Sequence, residues 1–114
     1  RSFCYIDDCV EGLLRIMASG YTKPINLGTE EIVTINELVD TVVEISGKGI
    51  SRRHDLTKPQ GVRGRNSDNS LLMELLGWQP KLSLSEGIGR TYPWIWEQLA
   101  QLQRASSPKS ATEA

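Results

Sequence analysis

Apolar residues recur along this chain with two spacings. Val10, Leu13, Leu14 and Met17 fall at i, i+3, i+4 and i+7, one helical stripe that closes at Gly20. Asp8, with Glu11 three residues on, opens it in the manner of a capping box, so a helix is expected over residues 8–19. Thr34 and Glu37 form a full capping box ahead of Ile35, Leu38, Val39, Val42 and Ile45, a second helix stopped by Gly47. Asp68 precedes a short third, carrying Leu71, Leu72, Leu75 and Leu76 as far as Gly77. A fourth starts at Ser83 or Ser85 and places Ile88, Tyr92, Ile95, Leu99 and Leu102 on one side. Pro93 interrupts it, because a proline removes one amide hydrogen and clashes with the carbonyl four residues back; the pattern is either one kinked helix or two.

Between these helices lie short runs with the character of strands. Phe3, Cys4, Tyr5 and Ile6 favour extended backbone, as do Ile25 to Leu27, and residues 50–56 alternate weakly. Alternating strand and helix signals predict an α/β domain with short strands and about four helices. It should occupy residues 1–104. Residues 105–114 bring no apolar side chain larger than alanine, and a disordered tail is expected there.

Composition limits what such a domain does. The 114 residues allow one modest core, and a net charge of −1 supplies no general field for nucleic acid or anionic membrane. Cys4 and Cys9 match neither a disulfide framework nor a zinc site, and no apolar run is long enough to span a membrane, so a cytoplasmic protein is expected. No residue stands out as catalytic or metal-ligating.

One segment does carry candidate chemistry. Residues 61–69 read GVRGRNSDN, with Arg63 and Arg65 flanked by glycine. Arginine suits phosphate because its planar fork gives paired, charge-assisted hydrogen bonds, and a neighbouring glycine lets backbone approach the ligand. Surface arginines are more often simply solvated. A different reading takes Arg52, Arg53, Lys58, Arg63 and Arg65, with Asp55 the single acid among them, as a nucleic-acid patch. No aromatic residue interleaves these cations to stack bases, and nucleic acid is not expected as a partner. His54 reads as polar surface, and Trp78, Trp94 and Trp96 as packing anchors.

Placed in order, RSFCYIDD at residues 1–8, Asn26-Leu27-Gly28, Asp68 and LGWQP at residues 76–80 resemble the carboxy-terminal, substrate-binding region of extended short-chain dehydrogenases, the NAD-dependent epimerase/dehydratase family. Within it, the GVRGRNSDN stretch, the RSF start and residues 92–97 are most similar to members acting on GDP-mannose. The resemblance covers about residues 1–100. It implies a nucleoside-diphosphate sugar as ligand, with Arg1 and one of Arg63 or Arg65 on the diphosphate, and Asn66 or Ser67 bonding sugar or phosphate.

The family's other half is not visible in this sequence. Gly47-Lys48-Gly49 is too short for a dinucleotide turn, and Tyr5, Tyr21 and Tyr92 have no lysine four residues on. The resemblance therefore implies that the Rossmann half is absent, that the chain itself binds no NAD and that it is inactive alone. The strand bearing Phe3 would also lack its family neighbour, and an unpaired apolar edge favours a homodimer. From a different class comes the alternative of an independent, self-associating interaction module that keeps the fold without catalysis.

Overall fold

A computed structural model describes residues 1–106. Four helices are present: α1 (Ile6–Ser19), α2 (Ile35–Ser46), α3 (Ser70–Leu76) and α4 (Leu84–Ser106). α1 packs with α3, and α2 with α4. Among the described residues there is no strand, which overturns the expected α/β class with its short strands.

A strand needs a ladder, and the segments expected to form one are bonded in other ways. Arg1 and Val33 exchange both backbone hydrogen bonds at 2.8 Å, but the pairing stops at that single position. Tyr5 is already the N-cap of α1, and Ile6 is its first residue. Residues 50–56 run beside α2, pinned through side chains: Arg52 donates to the Asn36 carbonyl and to Asp40 Oδ2, each at 3.0 Å, and the His54 ring nitrogen meets Asn36 Oδ1 at 3.0 Å. β-favouring composition alone did not give these segments a partner edge.

The helix boundaries follow the sequence signals more closely. At α2 both halves of the capping box are made, Glu37 N–H to Thr34 Oγ1 at 3.0 Å and Thr34 N–H to Glu37 Oε2 at 2.6 Å. The same reciprocal pair joins Ser83 and Glu86 ahead of α4. Gly20, Gly47 and Gly77 close their helices in the left-handed region, where a Cβ is unfavourable. α4 runs unbroken through Pro93, one helix rather than two. Ala105 and Ser106 complete α4, and the rest of the expected tail lies outside the described residues.

Asp8 behaves unlike its sequence reading. It lies inside α1, and its Oδ2 accepts the backbone N–H groups of both Lys81 and Leu82 at 2.8 Å. Glu11 instead pairs with Arg15 at 2.7 Å. Asp8 thus ties α1 to the connection leading into α4. Charge-assisted bonds of this kind contribute about 1.5–3 kcal/mol each, less where solvent reaches them.

The buried apolar core is small, comprising Leu72, Trp78 and Leu84. Gly12 lets α1 settle onto it, since a Cβ there would come within 2.5 Å of Leu27 Cδ1 and 2.9 Å of Trp78 Cζ3. Trp78 is therefore the anchor that was expected, whereas Trp94 and Trp96 are exposed. The stripe on α1 is uncovered too, with Met17 78% exposed and Val10, Leu13 and Leu14 open to solvent. A radius of gyration of 19.9 Å reflects this openness, against about 13 Å for a compact domain of about 100 residues.

The capping boxes give a pH dependence whose sign follows from the carboxylates. Glu37 and Glu86 are held below their ordinary value of 4.5, chiefly because each accepts a backbone hydrogen bond, from Thr34 and Ser83 respectively. A lowered folded-state value stabilises the folded form fully above 4.5, and that contribution is lost as pH falls through the lower folded value. The protection factors of the Thr34 and Ser83 amides, their exchange relative to the intrinsic rate, should fall as pH drops from 4.5 toward about 3. Unchanged protection across that range contradicts the assignment.

Candidate functional site

Two of the five residues singled out in the sequence meet at one cavity. Arg1 and Arg63 line a space of about 510 Å³ together with Ile32, Val33, Thr34, Ile35, Glu37, Gly61 and Val62. Their elements explain the meeting. The Arg1 backbone is fixed to Val33, and Val33 immediately precedes the N-cap of α2. The loop carrying Arg63 is anchored further along, where Ser67 N–H donates to the Thr29 carbonyl at 3.0 Å and Asn66 Nδ2 to the Glu30 carbonyl at 3.0 Å.

The cavity suits an anion with a defined orientation. It combines two arginines with the N-terminal end of a 12-residue helix, whose dipole favours negative charge. Glu37 belongs to the same lining, but its Oε2 is engaged by the Thr34 N–H at 2.6 Å. The apolar share of the wall, Ile32, Val33, Ile35 and Val62, leaves room for a ring beside the charged end.

The other three candidates lie outside this lining. Arg65 is exposed, and Asn66 is spent on the Glu30 carbonyl. Ser67 Oγ donates to Asn69 Oδ1 at 2.7 Å. Asn69, 1% exposed, also donates to the Gly28 carbonyl at 2.9 Å, so the asparagine and serine of this segment hold the loop rather than face the cavity. Sequence reasoning passed over Asn69; the signal available was its place between Asp68 and an apolar run, read there as part of a helix start.

The remaining chemistry is dispersed. Cys4 and Cys9 are free thiols, and burial, reinforced by Cys9 and Asp8, pushes the Cys4 thiol up, away from reactivity. Within the basic segment, Arg52 is engaged by Asp40 and the Asn36 carbonyl. No helix among the described residues is long and apolar enough to cross a membrane. Gly47 closes α2 rather than opening a helix, and among the described residues no strand precedes it.

No family model matches the chain. Comparison with curated proteins does find relatives. The chain is 44% identical to a GDP-mannose 3,5-epimerase of Arabidopsis thaliana over 110 residues, 96% of this chain and 29% of that protein. GDP-mannose 3,5-epimerase 1 of Oryza sativa subsp. japonica is likewise 44% identical, over 87% of this chain and 26% of its own length. A UDP-glucuronic acid decarboxylase 3 of Arabidopsis thaliana is 42% identical over 77% of the chain and 26% of that protein. The chain thus spans between a quarter and a third of the length of these relatives. It belongs to the extended short-chain dehydrogenase family, whose members matched here are named as GDP-mannose 3,5-epimerases and a UDP-glucuronic acid decarboxylase.

Proposed function

We propose that this chain forms the nucleotide-sugar-binding portion of a GDP-mannose 3,5-epimerase-like enzyme, with Arg1 and Arg63 gripping the diphosphate. The observation that carries the reading is the convergence of these two arginines, far apart in sequence, on one cavity at the start of α2. Their geometry serves orientation: two guanidinium forks fix a diphosphate, and a fixed diphosphate fixes the sugar attached to it. The 44% identity to a GDP-mannose 3,5-epimerase supports GDP-mannose as the ligand type.

In this reading the chain positions substrate and performs no redox step. NAD, when bound to a complete enzyme of this kind, would supply the hydride acceptor and donor. The isolated chain is accordingly inactive, and its intracellular setting is the cytoplasm. Of the arginines in the GVRGRNSDN loop, Arg63 is preferred over Arg65 because it lines the cavity. GDP should bind more tightly than mannose in a calorimetric titration, and Arg63→Ala should weaken GDP binding by about 1.5–3 kcal/mol, the range for hydrogen bonds to charged groups. Equal affinities for GDP and mannose contradict the diphosphate site.

The uncovered stripe on α1 favours a second reading, in which the chain also self-associates. Val10, Leu13, Leu14 and Met17 form a continuous apolar face that is open to solvent. The strand edge first expected to drive pairing does not exist among the described residues, so the dimer proposal rests on α1 instead. Light scattering at about 100 μM, well above micromolar dissociation constants, should return a dimer mass, and a monomer mass excludes this reading.

A further inference from the structure

Gly61 stands against the end of the Arg1 side chain. A Cβ built on Gly61 would lie 2.6 Å from Arg1 Nη2 and 3.8 Å from its Cζ, inside van der Waals contact for the first of these. The guanidinium of Arg1 therefore rests on the bare backbone of residue 61, while the Arg1 backbone is clamped to Val33 by two hydrogen bonds of 2.8 Å. Between these two points the side chain spans the cavity edge. Gly61 also sits two residues before Arg63 in the chain, and Arg1, Gly61 and Arg63 line the same cavity.

We propose that Gly61 is a positioning residue: the absence of a side chain there holds the Arg1 guanidinium in register with Arg63 for the two phosphates of a nucleoside diphosphate. The proposal rests on the reading of Arg1 and Arg63 as diphosphate contacts, and it adds a specific role for a residue that has no side chain of its own to offer a ligand. The atom facing Gly61 is the far end of a flexible chain, so a methyl group at position 61 displaces Arg1 rather than disturbing the fold. Gly61 is exposed and outside the left-handed backbone region, which leaves alanine free of backbone strain there. The consequence is a split between function and stability that a merely structural glycine would not show.

The test uses GDP as probe and a double-mutant cycle on the full chain, comparing wild type, Gly61→Ala, Arg1→Ala and the double variant. Gly61→Ala should weaken GDP binding about tenfold or more, as expected for losing a hydrogen bond to a charged group, with an unchanged melting temperature. In the Arg1→Ala background the same substitution should have no further effect, because its action passes through Arg1. Wild-type binding retained by Gly61→Ala, or an equal loss in both backgrounds, overturns the role of Gly61 while leaving the diphosphate site intact. Failure of the wild type to prefer GDP over mannose overturns the site itself, and with it this inference.

Discussion

Residues 28–33 are the rail on which the site depends. On one side their Val33 end pairs with Arg1, and on the other Gly28, Thr29 and Glu30 accept the loop that carries Arg63. Glu30 adds its side chain, taking the Asn69 N–H at Oε1 at 3.2 Å. Remove that rail and Arg1 and Arg63 have no shared reference. The approach is close enough that a Cβ on Gly28 would meet Ser67 Cβ at 3.0 Å, so the loop lies against the rail's backbone as well as its polar groups.

Elsewhere the fold relies on the same device, side-chain acceptors and donors in place of a sheet. Asp8 gathers Lys81 and Leu82, Glu31 Oε2 takes the Leu84 N–H at 3.0 Å, and Asn69 joins Gly28 to Ser67. Such bonds satisfy individual loop amides without propagating, which is why extended segments persist here without becoming strands. They also bury little apolar surface. The small core of Leu72, Trp78 and Leu84 and the open stripe on α1 are two sides of one condition: this chain carries apolar faces that its own described residues do not cover.

What the sequence made legible was local. Thr34 with Glu37, and glycines 20, 47 and 77, identify their helix ends because capping chemistry acts over three or four residues. The α1 stripe was equally readable, but a periodic pattern records that a face is apolar and not what covers it. Strand readings at Phe3 to Ile6, at Ile25 to Leu27 and across residues 50–56 failed because a strand is defined by a distant partner. In the site, the two arginines flanking Gly64 looked equivalent, and the cavity lined by Arg1 separates Arg63, which shares it, from Arg65, which does not. Asn66 and Ser67, which the resemblance implied as ligand contacts, make hydrogen bonds within the loop and to Glu30 and lie outside the cavity lining.

The account stands on Arg1 and Arg63 acting together on one diphosphate. Arginine Nε–Hε resonances, followed by NMR as GDP is added, report on each guanidinium separately. The signals of Arg1 and Arg63 should shift together along one binding curve, while those of Arg52 and Arg65 stay in place. Movement of Arg65 with Arg1 unaffected would contradict the site as built here.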